Sequence, residues 1–73
     1  MPILRVKHIR EMSAEEREKN LVELRAELMR LKTMVEAGGA VENFARIREI
    51  RRTIARILTI ENEKKRAERE EKP

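Results

Sequence analysis

The sequence predicts an all-α fold, an antiparallel two-helix hairpin with a short N-terminal helix, and three observations carry that prediction. Leu21, Leu24, Leu28, Leu31 and Val35 recur at spacings of 3, 4, 3 and 4, and Phe44, Ile47, Ile50, Ile54 and Ile57 at 3, 3, 4 and 3. Each set therefore lies along one face of a helix. Gly38-Gly39 stands between the two sets, and glycine tolerates the left-handed backbone that ends helices. Charged residues make up 44% of the 73-residue chain, glycine and proline number two each, and Phe44 is the sole aromatic. That is the composition of long, solvated helices.

The elements follow in order within a single domain, 1–73. Ile3, Leu4, Val6, Ile9 and Met12 are too frequent for a bare tail, so 3–12 is read as a short helical segment covering one end of the hairpin. Ser13-Ala14-Glu15-Glu16 fits a capping box, with the Ser13 hydroxyl accepting from the Glu16 amide and the Glu16 carboxylate reaching back to the Ser13 amide. The first long helix then spans 14–37. Asn43 is the expected N-cap of the second, which spans 43–67 and leaves 68–73 as a frayed tail. Between Glu61 and the end there is no apolar stripe, only helix formers with opposite charges three or four residues apart. The short connection makes the two long helices lie antiparallel, the Leu/Val stripe against the Ile/Phe stripe.

Several function classes are excluded by what the chain lacks. Without cysteine it has no disulfide, no thiolate metal site and no cysteine nucleophile. His8 is the lone histidine, set among basic residues, and reads as a surface or phosphate contact instead of a metal ligand. No apolar run approaches the roughly 20 residues that cross a bilayer, and Arg5, Lys7 and Arg10 interrupt any signal-peptide core, so a cytoplasmic protein is expected. The carboxylates occupy salt-bridge spacings on exposed faces, with no glycine-rich phosphate loop and no activated hydroxyl. Neither catalysis, a cofactor nor a small-molecule substrate is expected.

Charge is more informative than composition. The formal net charge is +4, and the excess falls in 43–60, where five arginines meet one acid, Glu49. At about 100° per residue with Phe44 at zero, Ile47, Ile50, Ile54, Ile57 and Leu58 fall between about 220° and 320°, and Arg51, Arg48, Arg52 and Arg56 between about 340° and 120°. Phe44, Ala45, Ala55 and Thr59 share the arginine sector, and no acid does. Guanidinium groups fork onto phosphate oxygens, and the small side chains let a helix backbone approach a phosphate ridge. Two readings stay open: an RNA-binding face, or a solvated surface on a coiled-coil adaptor or self-associating hairpin. The lack of aromatic platforms argues against stacked single strands and for phosphate or shape contact with folded RNA. On the first helix, Val22, Ala26, Met29 and Thr33 form a second stripe turned about 100° or more from the leucines. It faces either a partner protein or the N-terminal segment.

Residues 43–59, NFARIREIRRTIARILT, and above all Arg51-Arg52-Thr53-Ile54-Ala55-Arg56, resemble the signature of the universal large-subunit ribosomal protein family numbered twenty-nine, thirty-five in eukaryotes. Leu24-Arg25-Ala26-Glu27-Leu28 with Leu31 is similar to that family's first long helix and Gly38-Gly39 to its turn, a likeness covering roughly residues 3 to 60. The resemblance implies a large-subunit component bound to ribosomal RNA beside the exit of the nascent-peptide tunnel. It also implies large-subunit protein twenty-three as a neighbour and nascent-chain factors close by. Carried over by position, the resemblance implies Arg48, Arg51, Arg52 and Arg56 as RNA contacts and the stripe of Val22, Ala26, Met29 and Thr33 as the face towards the adjacent protein. Arg5, Lys7, Arg10 and Thr59 are expected as further RNA contacts. The N-terminus MPILRVKHIREMS and the heavy charge, without glutamine or cysteine, look archaeal and suit a thermophile.

Overall fold

A computed structural model describes residues 4–38 and 41–71, which form three helices: α1 (Val6–Glu11), α2 (Ala14–Glu36) and α3 (Val41–Glu71). Among the described residues there is no strand. α2 and α3 pack along their length as an antiparallel hairpin, and α1 folds onto α3. The result is a rod of 55 × 20 × 16 Å with a radius of gyration of 14.8 Å, against about 11 Å for a compact domain of this length.

Local chemistry sets the ends of α2. The Ser13 side chain accepts from the Glu16 amide at 3.2 Å. The Glu16 carboxylate takes the Ser13 hydroxyl proton at 3.4 Å, where the capping box would have it receive the Ser13 amide. Glu15 and Glu16 also place negative charge in the first turn, where the helix dipole favours it. At the other end the amide of Ala37 donates to Thr33 at 3.2 Å and that of Gly38 to Val35 at 3.0 Å. Gly38 takes φ +92, the left-handed turn that glycine permits. Gly39 lies outside the described residues.

Helix α3 differs from expectation at both ends. It begins at Val41, so Asn43 sits within the first turn and is no N-cap; nothing between 41 and 43 breaks a helix, and Glu42 suits its positive end. It also runs on to Glu71, through most of the stretch expected to fray, while residues 72 and 73 lie outside the description. Among the described residues, the ion pairs of this extension reach other helices. Glu61 pairs with Arg17 and Glu63 with Arg10, and Lys64 donates to the Arg10 carbonyl at 3.3 Å.

The core is aliphatic: Ile9, Leu21, Leu24, Leu31, Ile47, Ile50, Ile57 and Ile60 are buried, with Leu4, Leu28, Val35 and Ile54 packed against them. Two expected seam residues are not in it. Phe44 is 46% and Leu58 44% exposed. Phe44, at 0°, lies in phase with the arginines; at the other end α1 covers a second flank of α3, and the buried sector reaches Thr53 and Ile60 at about 160° to 180°, away from Leu58 at about 320°. Thr53 is fully buried, its hydroxyl donating to the Glu49 carbonyl at 2.8 Å. The two stripes close on each other within one chain.

Arg17 joins all three helices. It is 4% exposed and in phase with Leu21 and Leu24. Its guanidinium pairs with Glu61 of α3 and donates to the carbonyls of Ile9 and Met12 at the end of α1. A cation taken out of water persists only when paired and hydrogen-bonded, and these three acceptors meet that need.

Two stability measurements by urea denaturation check this account. Glu61→Ala strands a buried charge and is expected to cost about 3 kcal/mol, whereas Arg17→Met costs less because the partly exposed Glu61 rehydrates; equal losses would mean that packing alone matters. Gly38→Ala meets no atom within 4 Å of the added Cβ, so its expected loss of about 1 kcal/mol comes from the backbone conformation alone. An unchanged midpoint would contradict that.

Candidate nucleic-acid interface

Burying one flank of α3 under α2 and the next under α1 leaves a single longitudinal strip facing outwards. Arg48, Arg51 and Arg52 are exposed on it, as are Ala45, Ala55 and Thr59 between and beside them. The Thr59 hydroxyl donates to the Ala55 carbonyl at 2.8 Å and keeps its lone pairs outward. Arg52 makes a 3.4 Å ion pair with Glu49 one turn back, a contact of the exposed kind that contributes little. Arg48 and Arg51 form no ion pair among the described residues. Three guanidinium groups are thus held on one strip of helix with their charge largely uncommitted.

Arg56 is placed differently. It is half-buried in the crease where α1 meets α3, beside Val6, Arg10, Ala55, Thr59, Ile60 and Glu63. One terminal nitrogen, Nη1, is enclosed without a hydrogen-bond partner, as is Oε2 of Glu49. The crease brings Arg10 of α1 and Arg56 of α3 together, although 46 positions separate them in the sequence. Arg10 is there shared with Glu63 at 3.6 Å. Arg5 and Lys7 are exposed at the start of α1. His8 is exposed too.

Arg46, the remaining arginine of the basic segment, is a structural residue. Its Nε and Nη2 reach the two carboxylate oxygens of Glu27 on α2 at 3.0 and 3.5 Å, a forked pair that ties the hairpin. It lies at about 200°, on the buried side of the helical wheel, which is the signal by which sequence alone could have set it apart.

On α2, Val22 is 57% and Met29 71% exposed, with Ala26 and Thr33 exposed beside them on the side away from the leucine seam. The N-terminal segment packs on α3 instead, so the intramolecular reading of this stripe is set aside. At the turn end of the rod, Phe44 forms a shallow groove with Lys32, Val35, Glu36, Ile47 and Arg51, an aromatic surface that the sequence reading had assigned to the core. Among the described residues no helix is long and apolar enough to cross a membrane.

Comparison with known proteins matches residues 7–64 to the family described as ribosomal L29 protein. The chain is 56% identical over 68 residues to the large ribosomal subunit protein uL29 of Methanocella arvoryzae, covering 93% of this chain and 96% of that protein. It is 56% identical over 66 residues to the uL29 of Methanocaldococcus jannaschii, covering 90% and 94%. With the uL29 of Natronomonas pharaonis it shares 52% over 63 residues, covering 86% and 91%.

The separate duties of neighbouring arginines can be measured in the RNA-free protein. Arg46→Ala removes the forked pair with Glu27 and is expected to lower stability by about 0.5–1 kcal/mol, while Arg48→Ala stays within about 0.5 kcal/mol of the parent. Chemical denaturation distinguishes them, and a loss for Arg48→Ala as large as that for Arg46→Ala would refute the assignment.

Proposed function

The chain belongs to the ribosomal L29 protein family, and on that premise we propose that it binds large-subunit ribosomal RNA through the outer strip of α3, beside the exit of the nascent-peptide tunnel. As a family member it is a structural, non-catalytic component of the large ribosomal subunit, working ribosome-bound in the cytoplasm. The observation that carries the RNA reading is the strip itself: Arg48, Arg51 and Arg52 exposed with no acid in their sector from Phe44 to Thr59. Two acids elsewhere in the fold are taken up by structural pairs, Glu27 with Arg46 and Glu61 with Arg17.

The mechanism is electrostatic and geometric. Each guanidinium offers a planar fork of donors to phosphate oxygens and releases condensed counterions as it does so. The rigid rod fixes the spacing of those forks, so ordering costs little on binding. Ala55 and Ala45 leave room for the RNA backbone to approach the helix. Arg56 and Arg10, held in the crease with Thr59 at its rim, supply a second point of contact, and Arg5 and Lys7 extend it. The exposed Val22, Ala26, Met29 and Thr33 stripe is the surface proposed for large-subunit protein twenty-three, with nascent-chain factors as neighbours in that setting.

Arg52→Ala and Arg56→Ala are expected to weaken binding to large-subunit ribosomal RNA and to reduce the slope of log affinity against log salt by about 1 each. Affinity and slope unchanged in both variants would defeat the reading. For the protein contact, Met29→Glu is expected to abolish cross-linking to protein twenty-three in assembled subunits while RNA affinity holds; undiminished cross-linking would dismiss that surface.

A further inference from the structure

We propose that the RNA-binding strip does not end with the basic segment but continues along the C-terminal extension of α3, where Arg66 and Arg69 engage further phosphates of the same RNA. This rests on the reading of the α3 face given above and lengthens it beyond residue 64, where the family match stops.

The helix is continuous from Val41 to Glu71, so residues past Ile60 keep the phase of those before it. At about 100° per residue, Asn62 returns to the position of Phe44, Arg66 to that of Arg48 and Arg69 to that of Arg51. From Phe44 to Arg69, the sector between about 340° and 80° holds Phe44, Arg48, Arg51, Arg52, Ala55, Thr59, Asn62, Arg66 and Arg69; Glu63 follows at about 100°, where it pairs with Arg10, and Glu70 returns to the angle of Arg52 and closes the strip at its far end. Asn62, Arg66 and Arg69 are exposed, and Thr59, Asn62, Glu63 and Arg66 line a shallow concavity on this side. At about 1.5 Å per residue, Arg69 lies roughly 32 Å from Arg48, so the strip runs more than half the length of the rod.

An independent observation concerns the acids of the extension. A run of mixed charge with no net excess would ordinarily serve only to solvate a helix. Here the two acids nearest the basic segment are drawn off by other helices: Glu61 pairs with the buried Arg17 of α2, and Glu63 with Arg10 of α1. Lys64 is turned to the Arg10 carbonyl on the same side. Arg66 belongs to none of the ion pairs found among the described residues. Within the zero net charge of residues 61–73, Arg66 and Arg69 thus fall on the face already occupied by Arg48, Arg51 and Arg52, while Lys64 and Lys65 fall outside it. Sorted cations on a rigid helix in register with a phosphate-binding strip fit the same polyanion.

The test measures affinity of the full chain for full-length transcribed large-subunit ribosomal RNA across a salt series. Arg66→Ala/Arg69→Ala is expected to reduce the log–log slope by about 1 to 2, with helicity retained since alanine is the strongest helix former and circular dichroism verifies it. Lys64→Ala removes a like charge from the far side, about 160° from Arg66, and is expected to leave the slope unchanged. Arg48→Ala/Arg52→Ala tests the underlying strip. An unchanged slope in the Arg66/Arg69 variant alongside a reduced one in the Arg48/Arg52 variant overturns the extension and leaves the RNA reading intact. A reduction in Lys64→Ala equal to that in the arginine variant overturns it as well, because net charge and not the strip would then govern. No change in either arginine pair removes both.

Discussion

The closure of α3 against two other helices at once is the constraint from which the remaining features follow. A helix has a single circumference, and here adjoining parts of it are buried, one under the leucines of α2 and one under α1 with Ile9 at its centre. What stays outside is one uninterrupted strip. Its cations do not bind each other or the core, so the field they create is directed outwards along a straight line. Such a line suits a polyanion whose charges recur along its backbone.

Arg17 is the fastening on which this closure turns. Buried between the end of α1 and α3, it donates to two carbonyls and pairs with one carboxylate. Glu61 is thereby drawn to the interior side of α3, and Glu63 and Lys64 are drawn towards α1. Cohesion and surface charge are linked by the same contacts: each acid used to hold the helices together is one acid fewer left free beside the arginine strip. Arg46 with Glu27 repeats the arrangement at the other end of the hairpin.

Much of this was legible in the sequence where the signal was periodic. The spacing of Leu21, Leu24, Leu28 and Leu31, the Ser13 cap and the Gly38 stop depend on a few neighbouring residues and on helical geometry, and the model bears out the all-α hairpin they implied. The arginine sector was legible for the same reason, since angle around a helix is a function of residue number alone. Arg17 was not found, although it shares the register of the leucine seam, because a charged residue at a core position is read as exposed unless its partners are known; Thr53 was not found because it lies outside the apolar sector and is buried only where α1 covers a second flank. Phe44 was misplaced for the converse reason: an aromatic near a stripe was taken as part of it, although its phase is that of Arg48 and Arg51.

What the sequence determined by itself is therefore the list of helices, the side of each that is greasy, and the membership of a family whose signature is local. What only the tertiary structure decided is how far each helix is covered. α1 docks on α3 and not on the Val22 and Met29 stripe, Arg56 is drawn into the crease beside Arg10, and the charged extension stays helical by leaning on Arg17 and Arg10. These outcomes depend on contacts between residues some 44 to 54 positions apart. Periodicity along one helix carries no information about which flank a distant segment will occupy.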